Sequence, residues 1–205
     1  MRRTNDPVDS VGYLASVIPR NRLNYLVSLC EETLRQVPGN VLEVGVYRGG
    51  SLVCLADVVS RVSPEHCVFG VDTFTGHPYT DGHPIHPIGK YADIEVDTLI
   101  RSLTARGLDR WIKLIRGRVE HVLDPDSIRP LSFVHVDCDL YSPVLYCARE
   151  LPSRIQRGGI IYFDDYGHEH CPGATAAVRE MFATAQVTEV YMQEDETCWS
   201  CFIRV

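Results

Sequence analysis

The chain predicts an α/β fold: a single domain over residues 1–205, built as a doubly wound, mostly parallel seven-stranded sheet of Rossmann-like type with an antiparallel C-terminal hairpin. Three observations predict it. Short apolar runs alternate five times with stretches of helical periodicity, the pattern of β-α units. Two of those runs, Phe133–Val136 and Gly158–Phe163, break off in paired carboxylates, Asp137 with Asp139 and Asp164 with Asp165. The last two runs are joined by a turn so short that only antiparallel pairing is open to them.

Residues 1–20 carry Pro7 and Pro19 and little periodicity, and read as an irregular arm or short helix lying over a site or over a partner subunit of a homo-oligomer. Leu23, Leu26, Val27, Cys30, Leu34 and Val37 then fall at helical spacing, and Gly39 stops the run. The first strand, Asn40–Val46, runs into Tyr47-Arg48-Gly49-Gly50-Ser51, a turn that opens a helix through about Val62. Glycines there let the backbone approach a ligand closely, and the helix amides favour an anionic group. The second strand, Cys67–Val71, ends at Asp72, placed to accept two hydrogen bonds from a ribose diol. The glycine spacing is not GxGxxG, which counts against a dinucleotide.

From Thr73 to Lys90 a loop rich in Pro, Gly and His follows, including His77, His83 and His86. A connection of that length suggests a lid or substrate contact. The next helix runs through about Arg106 with Ala92, Val96, Leu99, Ile100 and Leu103 on one face and Gly107 as stop, before a third strand at Trp111–Ile115. The turn at Arg116–Glu120 is placed to lie against an adenine ring. After Asp137 and Asp139, Ser142 and Pro143 read as N-cap and first helical residue. Pro172 opens a helix with Ala174, Ala177, Val178, Met181, Phe182 and Ala185 facing inward, and Val187–Met192 and Cys198–Arg204 form the hairpin.

Composition sets outer bounds. A 205-residue chain with 45% hydrophobic and 23% charged residues is that of a globular protein without a membrane span. A net charge of −7 argues against nucleic acid as partner. Arg2 and Arg3 are followed by polar residues and no signal-peptide apolar region, so the expected location is cytoplasmic. The eight cysteines are scattered. Cys198 and Cys201 have CxxC spacing but lie in a strand, where residues three apart face opposite sides, so neither disulfide nor zinc is expected.

The acid pairs carry the chemistry. Either alone reads as a turn or a helix cap. Their repetition at the ends of consecutive strands does not, because a cap needs one carboxylate and not two. In an open α/β sheet the strand carboxyl ends form the binding crevice, so Asp137, Asp139, Asp164 and Asp165 are expected to converge. Carboxylates so placed repel unless shared protons or a cation relieve them, and a hard divalent ion such as Mg²⁺ is the simplest relief.

Three segments together, Leu42–Ser51, Val71–Gly76, and the series Asp137-Cys-Asp139-Leu-Tyr141, Gly158-Gly159, Asp164-Asp165-Tyr166-Gly167 and Cys171-Pro-Gly173, resemble the macrocin O-methyltransferase family, whose members methylate sugar hydroxyls of macrolide and aminocoumarin antibiotics. The resemblance covers roughly residues 40–185. It implies a class I S-adenosylmethionine fold whose last strand is antiparallel, Mg²⁺ held by Asp137, Asp164 and Asp165, and Asp139 as general base. Glu43, Gly45, Gly49 and Ser51 would then line the methionine end of the cofactor, Asp72 its ribose, and Asp137 would face cofactor and metal together. Cys138 stands where a Gly is usual, Ser142-Pro143 where Glu-Ser is common, and Ala174-Thr175 where an Arg-containing stretch is usual. The expected acceptor is therefore the wider class of hydroxyls on small natural products, a sugar or polyol moiety. Two alternatives differ in class. A metal-dependent glycosyltransferase would use Asp137-Cys-Asp139 as a D-x-D triplet, and a non-catalytic cofactor-binding scaffold would have no use for four clustered acids.

Overall fold

In the computed structural model, residues 16–191 and 198–205 are described. The first helix, α1 (Arg20–Gln36), buries Leu23, Leu26, Val27, Cys30 and Leu34, the stripe its spacing requires. It leads to β1 (Asn40–Val44), α2 (Gly50–Val62) and β2 (Val68–Asp72). A long irregular segment precedes α3 (Val96–Ala105), β3 (Ile112–Arg116) and the single turn α4 (Val119–Val122). The second half is β4 (Leu131–Val136), α5 (Tyr141–Glu150), β5 (Ile155–Phe163), α6 (Pro172–Met181), β6 (Thr188–Tyr191) and β7 (Cys198–Arg204).

The strands form one seven-stranded sheet in the order β3-β2-β1-β4-β5-β7-β6. β1 to β5 pair in parallel, and β7 slots between β5 and β6, antiparallel to both. β1 and β4 are fully buried, as strands covered on both faces must be, and their apolar runs are interrupted by Asn40 and Glu43 in β1 and by Ser132 and His135 in β4. One core layer packs α1, α2 and α3 against Val41, Val68 and Phe133; the other packs α5 and α6 against Leu42, Val134 and Ile161. The chain winds outward from β1 in one direction and from β4 in the other. Between them lies the switch point, where such sheets open a crevice at their carboxyl ends.

Several boundaries differ from the sequence reading. α3 starts only at Val96, so Ala92 lies outside it, and Ile100 is exposed. Only Leu99 and Leu103 of that helix are buried. α5 begins at Tyr141 with Leu140 as its N-cap, so Ser142 lies inside the helix. α6 ends at Met181, which leaves Ala185 outside it and exposed. Residues 1–15 of the expected arm, and the acidic turn of the hairpin with Met192, lie outside the described residues. All eight cysteines are free. Among the described residues no helix is long and apolar enough to cross a membrane.

Candidate active site

The crevice is a cleft of about 880 Å³, open solvent at its mouth included, at the carboxyl ends of β1, β2 and β4. Its wall includes Gly45 and Ser51 from the β1–α2 turn, Asp72 from β2, Gly117 and Glu120 after β3, and Asp137 after β4. Gly45 is required by its surroundings. Its φ is +92°, and a Cβ there would stand 1.6 Å from the carbonyl oxygen of Asp137. Gly49, in the left-handed region at φ +80°, caps α2 from behind the wall, with Leu99 of α3 against its Cα. Asp72 organises the turn: Oδ2 accepts from the backbone N–H of Val46 (2.8 Å) and Tyr47 (2.9 Å), and Oδ1 from that of Phe74 (2.7 Å). Ser16, Val17 and Ile18, the described end of the arm, also line the cleft.

Strain collects here. Among the described residues, the non-glycine residues at positive φ are Tyr47, Phe74, Tyr91 and Asp139. Tyr47 and Tyr91 line the cleft and Phe74 follows two of its wall residues, while Asp139 stands in the acid cluster. Backbone held in so sparse a region persists where the surroundings over-determine it, and such places gather at functional sites.

The acids converge as their strand ends require. Burial, then repulsion from Asp164 and Asp165, pushes the Asp137 carboxyl well above its ordinary range. Burial, then Asp139 and Asp164, pushes Asp165 up to about 8. Asp164 is held from the side by Arg22 of α1, whose Nη2 donates to Oδ2 and to the backbone carbonyl (2.9 Å). The other oxygen, Oδ1, is buried without a hydrogen-bond partner. It faces the equally unpartnered Nε2 of His135 at 4.0 Å, with Asp137 completing the group. Asp165 Oδ2 accepts the backbone N–H of Asp139 (2.9 Å), and Oδ1 lies 3.6 Å from Cys171 Sγ.

A gap ringed by an orphaned carboxylate oxygen and acids pushed up in pKa fits a hard divalent cation. Asp137, Asp164 and Asp165 are the residues that would hold it. The structure divides them, however: Asp137 and Asp164 share their space with His135, and Asp165 shares its own with Asp139 and Cys171. The parallel register of β1 and β4 sets Glu43 opposite His135, and Glu43 Oε1 accepts from His135 Nδ1 at 2.9 Å. Glu43 is therefore not on the cleft wall as expected; it lies under the floor, wholly buried, as counter-charge to an imidazole. Burial opposes the charge on His135, but the Asp164 carboxylate facing it and the hydrogen bond to Glu43 outweigh burial and raise it to about 10.

Over the cluster lies the segment from Thr73 to Glu95. His77 Nε2 donates to Asp139 Oδ2 at 3.1 Å, and His86 Nδ1 stands 3.8 Å from Oδ1. Burial works to raise the Asp139 carboxyl, but the hydrogen bond from His77, together with the neighbouring His86 ring and Lys90, prevails and holds it below its ordinary range. Asp139 is thus an ionised acceptor at neutral pH. A shallow groove lined by Asp81, His83, Tyr141 and Gly173 adjoins these loops.

The macrocin O-methyltransferase (TylF) family matches this chain over residues 2–201. The chain belongs to that family. It is a methyltransferase, which sets aside the glycosyltransferase and scaffold alternatives. Mycinamicin III 3''-O-methyltransferase of Micromonospora griseorubida is 27% identical over 178 residues, covering 80% of this chain and 70% of that protein. Among solved structures, the O-methyltransferase NovP superposes with a TM-score of 0.75 at 23% identity, over 92% of this chain and 81% of its own. The calicheamicin methyltransferase CalS11 does so with a TM-score of 0.75 at 21% identity, over 91% and 80%. These likenesses establish a class I methyltransferase fold.

Of the residues expected at the site, Gly45, Ser51, Asp72 and Asp137 line the cleft; Asp164 stands with Asp137, and Asp139 with Asp165, beside it. Gly49 stands just behind the wall and Glu43 beneath the floor. The sequence reading missed Arg22, His135 and Cys171. His135 had a signal: a basic residue inside an apolar strand needs a partner, and Glu43 sits likewise inside β1. Arg22 had none, since its partner is 142 positions away.

Proposed function

We propose that the chain transfers a methyl group from S-adenosylmethionine to a hydroxyl of a small natural product, a sugar or polyol moiety, with Mg²⁺ bound at Asp137, Asp164 and Asp165. The observation that carries this reading is the double position of Asp137, on the cleft wall and within the carboxylate cluster. The cleft suits the nucleoside: Gly45 leaves room for close approach, Ser51 offers a hydroxyl at the α2 start, and Asp72 Oδ1, with a single backbone donor, keeps acceptor capacity for a ribose hydroxyl.

The metal, when bound, lowers the pKa of a coordinated hydroxyl. The chain's own residues supply orientation and the proton acceptor. Asp139, kept ionised, takes the hydroxyl proton as the oxygen bonds to the methyl carbon and the carbon–sulfur bond breaks. His77 holds the Asp139 carboxylate in place, and the segment over it excludes water. The groove at Asp81, His83, Tyr141 and Gly173 is the approach for an acceptor.

The test is methyl transfer from labelled S-adenosylmethionine to a panel of glycosylated natural products, with Mg²⁺ or excess chelator. Turnover that chelation stops and Mg²⁺ restores supports the reading. Turnover indifferent to chelation removes the metal, and failure to bind S-adenosylmethionine removes the reading altogether.

A further inference from the structure

The segment over the acid cluster is closed at its base by backbone pairs. His77 N–H donates to Lys90 O (2.9 Å) and Gly89 N–H to His77 O (2.9 Å). This closure brings two buried imidazoles onto one carboxylate. A ring nitrogen of His77, a ring nitrogen of His86 and an Asp139 oxygen all lie within 4.8 Å of one another; His77 Nε2, which donates to Asp139 without the ion, becomes a ligand when its hydrogen moves to Nδ1, a buried nitrogen with no partner of its own. None of the three belongs to the set assigned to Mg²⁺.

The tautomer of His86 follows from its far nitrogen. Nε2 is 2.7 Å from the carbonyl oxygen of His170, which can only accept, so Nε2 carries the hydrogen. Nδ1 of the neutral ring then holds a lone pair, and it faces Asp139 Oδ1 across 3.8 Å. Burial favours that neutral form by keeping the ring below its ordinary pKa. Two acceptors face each other in a buried place with only the weak Cys171 thiol donor on Oδ1, at 3.4 Å, an arrangement that a cation between them would relieve. One has already been drawn to the rim: Lys90 Nζ stands 3.4 Å from Nδ1. A ring that gives its N–H to a backbone carbonyl and turns its other nitrogen to a shared point is also the usual posture of a metal-binding histidine.

We propose that His77, His86 and Asp139 form a second cation site, one that takes a borderline transition ion such as Zn²⁺ or Co²⁺ in preference to Mg²⁺. Two imidazole nitrogens and one carboxylate suit such ions, whereas the all-oxygen set of Asp137, Asp164 and Asp165 suits Mg²⁺. The rings of His83 and His170 continue outward from His86, at 5.7 Å from His86 and 6.0 Å from each other, and offer further nitrogen donors along the approach. Lys90 and the ion compete for one position. The site rests on the geometry of this segment and shares Asp139 with the proposed proton acceptor, so an ion held there and proton transfer to Asp139 exclude one another.

The test is Co²⁺ titration of the full chain in saturating Mg²⁺, followed by visible d–d absorption and by equilibrium dialysis. The expected result is one Co²⁺ per chain that Mg²⁺ does not displace. His86→Ala weakens it at least tenfold, and Lys90→Gln tightens it. Co²⁺ that Mg²⁺ displaces mole for mole, or affinity unchanged in His86→Ala, overturns the proposal. Should His86→Ala fail to fold, Lys90→Gln decides alone: tighter binding supports the site, and unchanged or weaker binding overturns it.

Discussion

Asp139 sits at φ +59°, a conformation that Asp and Asn tolerate better than other L-residues. Asp139→Asn therefore keeps the backbone and the bond to His77 while removing the proton acceptor. The expected result is unchanged S-adenosylmethionine affinity with a maximal rate lowered roughly 10²–10⁴-fold, as for a lost general base. A rate near wild type returns Asp139 to a structural role. Arg22 acts one step further back. By engaging Oδ2 of Asp164 it leaves Oδ1 free and turned toward Asp137 and His135. On the proposed metal assignment, Arg22→Met lowers Mn²⁺ affinity on the order of 10–100-fold, read by titration calorimetry, and affinity that rises instead marks Arg22 as a competitor of the ion. The four aspartates were legible because strand ends in an open sheet have a fixed destination. Arg22 was not, and for His77 and His86 only their loop was marked, as a lid or substrate contact, because which residues of a crossing loop or helix meet those ends depends on long-range closure that no local pattern encodes.

Among the helices of two turns or more, α3 is held most loosely. It buries only Leu99 and Leu103, whereas α2 buries nine residues from Gly50 to Val59. Its five-residue apolar reading failed because hydrophobic spacing identifies a face but not how much of it is covered. Ile100 lies on the edge of that face and stays exposed. Local opening follows the density of buried contacts, so amides of α3 are expected to exchange with solvent faster than those of α2, by hydrogen-exchange mass spectrometry. Equal protection would show α3 covered by something beyond these contacts. Leu99 lies against Gly49 at the start of α2, so slower exchange in α3 on adding S-adenosylmethionine would report coupling between the cleft and this helix. The strand pattern was more legible than the helices. Both strand faces are covered, so short, mostly apolar runs marked them, and the turn between the last two runs dictated antiparallel pairing without any view of β7 slotting between β5 and β6.

Across the whole molecule, the buried acids and His135 tie stability to pH. Asp165 rises from 3.8 to about 8 on folding, so the folded state holds a proton the unfolded chain has released, and stability falls as pH climbs through that window. His135 rises from 6.5 to about 10, and its contribution, full below 6.5, is lost as pH climbs toward 10. The two losses overlap between 6.5 and 8. The metal-free protein is expected to lose melting temperature steadily across that interval, and Mg²⁺ is expected to restore more of it at pH 8 than at pH 6.5. A flat profile, or equal stabilisation at both, contradicts the electrostatic account. The net charge of −7 adds a diffuse repulsion that salt screens, so the comparison is made at fixed ionic strength.

The most direct measurement is a crystal structure grown with Mn²⁺ and S-adenosylhomocysteine, with data collected at the manganese edge. The account predicts an anomalous peak bonded to Asp137, Asp164 and Asp165, with the nucleoside in the cleft beside Gly45 and Asp72. A nucleoside-filled cleft with no peak at those carboxylates would contradict it.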